Sequence, residues 1–211
     1  MFGINYLFAN KFAKNAINYA SYFGLTFLIQ LVFTPVIARV YTAESYGYFS
    51  LTSSIAAYLS VLYTLQLEQA VVLQKSELRS RNISKVVFTT IVIFFIITYF
   101  VIGAYQLFQF LIFDNVKNVP NSALLAPILA ALIGFHAIYG AVANRFEQYK
   151  KILQFIPFVH FGSKLITVTW GMLFYKNFIG LLIGEISLRG GSTLIGFRYV
   201  INRRLSKYFG F

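Results

Sequence analysis

Long runs without a charged residue are the feature of this sequence that most constrains its fold. Residues 15–38 and 86–113 contain no Asp, Glu, Lys or Arg. A helix of about 24 residues is roughly 36 Å long, which is enough to cross a hydrocarbon core about 30 Å thick. A water-soluble domain of this length needs more polar surface than a sequence that is 58% hydrophobic and 11% charged can supply. The sequence therefore predicts an all-α, polytopic transmembrane helical bundle.

Short polar or charged links divide the chain into six apolar runs. Pro35 lies near the end of the first run and is expected to kink that helix or end it early, because proline lacks an amide hydrogen. Residues 69–85 form the most basic stretch between runs, and we expect a loop there. The predicted segments are an interfacial leader at 1–14, spans at about 15–38, 46–67, 86–112, 121–143, 152–175 and 177–197, and a basic tail at 198–211.

The distribution of Lys and Arg predicts the orientation of these spans. With the amino terminus inside the cell, the inner segments carry 13 Lys and Arg residues and the outer segments carry three. Cytoplasmic loops are enriched in these residues, so both termini are predicted to be cytoplasmic. A net charge of +12 would suggest nucleic-acid binding in a soluble protein. Here the basic residues lie in short clusters between apolar runs, and we expect no nucleic-acid partner.

The first third of the chain carries a recognisable pattern. Ala38 and Arg39 end the first run, and a link with Glu44 and a Tyr46-Gly47 pair leads into a Ser-rich second run. The second run ends in a further pattern made of Leu65, Glu68, Ala70, Val71, Val72 and Leu73. Together these residues resemble the O-antigen type oligosaccharide-lipid flippases of the multidrug/oligosaccharidyl-lipid/polysaccharide exporter superfamily. The resemblance covers roughly residues 15–90; beyond them only span spacing and loop polarity agree.

The resemblance implies a membrane transporter rather than an enzyme. It would flip a polyprenyl-diphosphate-linked oligosaccharide across the bacterial cytoplasmic membrane during polysaccharide or lipopolysaccharide biosynthesis, coupled to an ion gradient and without a cofactor or metal. The family fold has two lobes of six helices with the cavity between them, and this chain resembles only the first lobe. We therefore expect a truncated, non-functional half, a second chain that completes the site, or a lobe that dimerises. Membrane lipids and polysaccharide assembly proteins are the other expected partners.

Three charged residues lie inside the predicted fifth and sixth spans. Lys164 is 13 residues beyond Lys151, which places it roughly 20 Å into its span. Glu185 and Arg189 follow Lys176 by nine and 13 residues, and they lie one turn apart on one helix face. A charge within a membrane is costly, so these three require an explanation. Their sum of +1 favours an anionic ligand, although a structural ion network remains the alternative.

Other candidate residues have a structural and a functional interpretation. Arg39 is either a diphosphate ligand or an interfacial arginine whose stem lies along the apolar surface. Glu68 and Glu185 are candidate ion-coupling carboxylates, and Glu68 could instead pair with the basic residues that follow it. Asn18 and Gln30 belong to a polar stripe on the first span that should face protein or water. His136 and His160 are interpreted as packed histidines, and the spacing of Gly180 and Gly184 as a weak packing signal.

Two other functions stay open at this point. The first is an integral membrane enzyme, such as a polysaccharide polymerase or glycosyltransferase. Such an enzyme needs catalytic groups on sizeable outer loops, and the predicted outer loops are short, with Glu44 and Asp114 as their acids. The second is a non-catalytic membrane scaffold of a glycan assembly complex. The sequence has no cysteine, which excludes disulfides and thiolate metal sites.

Overall fold

The computed structural model describes residues 11–113, 121–145, 153–174 and 176–200, and these fold as helices joined by short links, without a β-strand. The predicted all-α fold is therefore confirmed for this part of the chain. The predictions for residues 1–10, 114–120, 146–152, 175 and 201–211 lie outside the described residues. Seven helices are described: α1 Lys11–Val40, α2 Ala43–Thr64, α3 Glu68–Leu73, α4 Glu77–Phe113, α5 Asn121–Arg145, α6 Ile156–Leu173 and α7 Phe178–Val200.

The predicted basic loop at residues 69–85 is wrong in the structure. Most of these residues belong to the short helix α3 or to the first turns of α4, which begins at Glu77, nine residues before the predicted span. Lys and Arg are good helix formers, so a cluster of these residues does not end a helix. It only marks the part of the helix that lies outside the lipid. Ser80 fastens the two helices together, because its hydroxyl donates to the Val71 carbonyl at 3.0 Å.

Pro35 does not end the first helix. α1 continues through Pro35 to Val40, so the prediction of an early end is wrong. A proline within a helix removes one amide hydrogen bond and crowds the carbonyl four residues before it, which can bend a helix without ending it. Thr34, just before the proline, donates its hydroxyl to the Gln30 carbonyl at 2.6 Å within the same helix.

The central element is α5, which packs against α2, α3, α4 and α7. In its apolar stretch 56% of the residues are buried, against 11% in those of α1 and α4. Ala126 and Ala130 have no exposed surface, and a carbon added at Gly134 would lie 3.2 Å from Ile91 and Thr64 side chains. Small residues at successive turns of α5 therefore allow close approach of neighbouring helices.

Among the helices of the described residues, four are long and apolar enough to cross a membrane. Their candidate spans are Ile17–Val40, Glu77–Phe110, Leu124–Arg145 and Phe178–Ile195. These correspond to four of the six predicted spans. The other two predicted spans fall on α2 and α6, which contain many hydroxyl residues or, in α6, His160 and Lys164. α1 and α4 also expose many large apolar side chains, as the surface of a membrane protein does.

Tyr41 fastens the link between α1 and α2 to α6 and α7. Its ring is 4% exposed, and its hydroxyl donates to the Thr167 carbonyl at 2.7 Å. A carbon added at Gly171 would lie 2.8 Å from this ring, and one at Gly180 would overlap its hydroxyl, so only glycine fits beneath Tyr41. Burial, followed by the neighbouring Tyr46, raises the pKa of the Tyr41 phenol above its ordinary value.

Arg145 joins the end of α5 to the end of α3. Its Nη1 donates to the carbonyls of Val71 at 3.3 Å and Val72 at 3.4 Å, and also to the carbonyl of Gln74. The last carbonyls of a helix have no partner within the helix, so a cation is favourable there. The guanidinium therefore caps α3 from a helix distant in sequence.

Candidate functional site

The candidate site lies where α7 packs closely on α6. A carbon added at Gly184 would overlap the Thr167 hydroxyl and lie 3.4 Å from the Ser163 carbonyl oxygen, so glycine is needed for this approach. Gly180, one turn earlier, is the residue beneath Tyr41. The spacing of Gly180 and Gly184, a weak packing signal in the sequence, thus marks a packing surface of α7.

This packing brings the charged residues of the two helices together. Arg189 Nε donates to Glu185 Oε1 at 2.9 Å, as the one-turn spacing predicts, and the side chains are 35% and 21% exposed. Lys164 on α6 and Glu185 on α7 border the same cavity. The structure therefore places all three predicted charges in one region.

The first cavity, called here the lysine cavity, has a volume of about 150 Å³. Lys164, Glu185 and Gly184 form one side of it, and α1 and α2 form the other through residues that include Thr34 and Phe49. Polar and apolar groups thus meet in a cleft made by four helices. Its full lining is Thr34, Ile37, Tyr46, Phe49, Ser163, Lys164, Thr167, Leu181, Gly184 and Glu185.

The second cavity, called here the histidine cavity, has a volume of about 290 Å³. Its polar lining comes from three helices: His136 of α5, His160 of α6, and Arg189 and Ser192 of α7. Its apolar lining consists of Phe23, Ile156, Val159 and Leu188. Glu185 and Arg189 lie one turn apart, so their ion pair connects the two cavities along α7.

The two histidines have an unusual environment. The Nδ1 atoms of His136 and His160 are both buried, and neither has a hydrogen-bond partner among the described residues. Glu185 and Arg189 act electrostatically on both imidazoles, and Lys164 acts on that of His160. The sequence interpretation as separate packed histidines missed this cluster, because the two residues lie on different helices and only the packing of α5 and α6 with α7 brings them together.

The remaining candidates lie elsewhere. Arg39 is exposed near the end of α1 and borders neither cavity. Gln30 is exposed and Asn18 is half-buried, while Thr34 on the same helix borders the lysine cavity. Glu68 is the first residue of α3, and its Oε2 is buried without a hydrogen-bond partner in the described part of the chain. No ion pair of Glu68 with the basic residues after it is seen there.

The fold and site define a class of protein rather than a particular one. The described chain is a helical bundle with helices long and apolar enough for a membrane and charged groups in cavities between them. Among the residues described, no group of three His, Asp or Glu side chains is placed to hold a metal ion. No protein-family model, curated protein or solved structure matches this chain.

Proposed function

We propose that this chain is one lobe of a membrane transporter that flips a polyprenyl-diphosphate-linked oligosaccharide across the bacterial cytoplasmic membrane. The observation that carries the proposal is the cluster of Lys164, Glu185 and Arg189, which has a net charge of +1 and borders two cavities between apolar helices. A diphosphate must lose its hydration inside a membrane, and fixed cations in a cavity can replace that hydration. The resemblance of residues 15–90 to the oligosaccharide-lipid flippases supplies the substrate class.

The proposal includes six spans with both termini in the cytoplasm. α2 and α6 are the two added spans, and each packs against other helices of the bundle. A span that is partly covered by protein can carry Ser, Thr and even charged residues, because these face neighbouring helices or a cavity. The excess of Lys and Arg on the predicted inner side supports this orientation.

The charged residues would have different roles during transport. Lys164 and Arg189 bind the diphosphate, Lys164 as a point charge and Arg189 with its planar guanidinium. Glu185 pairs with Arg189 when no substrate is bound. Glu185 and Glu68 are both candidate carboxylates for ion coupling. Arg39, exposed at the end of α1, would contact the substrate as it leaves. A second lobe, or a second copy of this chain, would supply the remaining walls of the cavities.

Substitution of the cavity cations in the native host tests this proposal. Lys164→Ala and Arg189→Ala should each reduce delivery of the glycan to the cell surface by about tenfold or more, because each removes a charge-assisted contact with the diphosphate. Lys176→Ala is the matched control, since Lys176 is an exposed cation outside both cavities. Surface glycan is measured by immunoblot, and the amount of protein in the membrane is measured in parallel.

The outcome of this experiment distinguishes the alternatives. Loss of surface glycan with lipid-linked oligosaccharide accumulating inside the cell supports a transporter. Delivery of single unpolymerised repeat units would identify a polymerase instead. Normal glycan delivery in both cavity variants, or loss of the protein itself from the membrane, would contradict the assigned roles of Lys164 and Arg189.

A further inference from the structure

The histidine cavity contains groups that the transport roles above do not use. His136 and His160 reach it from α5 and α6, and each has a buried Nδ1 without a hydrogen-bond partner among the described residues. These Nδ1 atoms have almost no accessible surface, so a ligand in the cavity would meet the other ring nitrogen, Nε2, of each histidine. Two imidazoles that border one cavity can each present one hydrogen-bond donor to such a ligand.

The charge beside these histidines determines the kind of ligand. Arg189 borders the cavity and gives its Nε to Glu185, and no protein partner is seen for its two terminal nitrogens in the part of the chain that is described. Arginine and histidine can all donate hydrogen bonds to one oxyanion. A metal ion fits poorly here, because the guanidinium repels it and the described residues supply no third ligand beside the histidines.

The apolar lining determines what the oxyanion is attached to. Phe23, Ile156, Val159 and Leu188 surround the polar groups. A water molecule takes about 30 Å³ of liquid volume. At about 290 Å³, the cavity therefore has room for a phosphate group and the first carbons of an attached chain. Free phosphate would leave this apolar surface uncovered, whereas a phosphate ester of a lipid covers both parts.

We propose that the histidine cavity is a binding site for the phosphate group of a lipid phosphate ester. Arg189 holds the phosphate by its terminal nitrogens, His136 and His160 donate to its oxygens, and the hydrocarbon part lies against Phe23 and Leu188. This assignment rests on the proposed function for the source of the ligand, which is the lipid-linked substrate. It adds two histidines to the site that neither the sequence pattern nor the ion pair identifies.

Binding of dodecyl phosphate to the purified full chain tests the assignment without transport. In a maltoside detergent, isothermal titration calorimetry should show saturable binding. The Kd should rise about tenfold or more in the double variant His136→Gln/His160→Gln and in Arg189→Gln, since each loses charge-assisted contacts. The double histidine variant is decisive, because it keeps the Glu185–Arg189 ion pair. Arg79→Gln is the control, because Arg79 is an exposed cation on α4 outside the cavity.

Each outcome of the titration has a defined meaning. A Kd that is unchanged in the double histidine variant, or no binding by the unsubstituted chain, overturns the site. Sodium phosphate that binds as tightly as dodecyl phosphate supports the phosphate contacts and assigns a free phosphate ligand in place of a lipid. Saturable binding of dodecyl phosphate by the unsubstituted chain, together with normal glycan delivery in Lys164→Ala and Arg189→Ala, would contradict the proposed function and leave the cavity assignment standing.

Discussion

At the scale of single residues, Arg145 makes side-chain hydrogen bonds to a helix that is distant from it in sequence. It extends from the last turn of α5 to three carbonyls at the end of α3, and its position links two segments that are more than 70 residues apart in sequence. From the sequence, Arg145 is predicted only to be one of the cytoplasmic basic residues. Its neighbours in sequence do not indicate a helix cap, because the carbonyls that it binds belong to α3, where the sequence predicts a loop.

Removal of the Arg145 guanidinium should release α3. In Arg145→Ala the α3 carbonyls lose their donor, and the local free energy of unfolding should fall by about 1–3 kcal/mol. Hydrogen exchange measured by mass spectrometry should show faster deuterium uptake in peptides covering residues 68–76. Arg79→Ala removes an exposed arginine of α4 and should leave this uptake unchanged. Equal uptake in Arg145→Ala and the unsubstituted chain would show that the three hydrogen bonds do not hold α3.

At the scale of elements, the face of α7 that carries Gly180 and Gly184 determines how the candidate site is assembled. Both glycines lie against large or branched side chains of other elements, namely Tyr41 and Thr167. Gly190, on the same helix, has no atom of the described residues within 4 Å of an added carbon. Gly180 and Gly184 thus permit close packing of α7, whereas Gly190 on the same helix does not contribute to it.

Alanine substitution should separate these two kinds of glycine. Gly184→Ala must displace Thr167 and move α7 away from α6, at a cost of about 1–3 kcal/mol. Gly190→Ala should leave stability unchanged or raise it by up to about 1 kcal/mol, because alanine restricts the unfolded chain. Thermal unfolding of the purified protein in detergent measures both. A Gly184→Ala protein as stable as the Gly190→Ala protein would contradict the close contact of α6 with α7.

At the scale of the whole molecule, burial differs sharply between helices. α5 is enclosed by four other helices, whereas α1 and α4 expose much of their apolar surface. The order of the helices along the chain, together with the positive-inside bias, gives each link a predicted side of the membrane.

Single cysteines can test the proposed six-span topology directly, because the native sequence has none. Ala43→Cys and Lys176→Cys lie at predicted outer links, and Ser76→Cys lies at a predicted inner one; all three positions are exposed. A membrane-impermeant maleimide should label the first two in intact cells and Ser76→Cys only after lysis. Labelling of Ser76→Cys in intact cells would show that the orientation is the reverse of the predicted one. Protection of Lys176→Cys would show that α6 and α7 do not cross the membrane as a pair of spans.

The sequence predicted those features that depend on local composition. Apolar, charge-free runs identified the long apolar helices, and the one-turn spacing predicted the Glu185–Arg189 pair. Features that depend on tertiary packing were not predictable. The placement of His136 and His160 beside one cavity depends on how three helices pack. The start of α4 at Glu77 lies in charged sequence, where Glu, Leu, Arg and Lys favour a helix but no apolar run marks one.

Tyr41 fastens the carboxyl end of α1, and the helix also packs along α6, where the rings of Phe33 and Phe161 meet edge to face at 5.6 Å. Thr34, near the anchored end, borders the lysine cavity, and Phe23, about 27 Å away from Tyr41 along the helix, borders the histidine cavity. α1 therefore forms part of the wall of both cavities, so a shift of this helix along α6 changes the shape of the two cavities together.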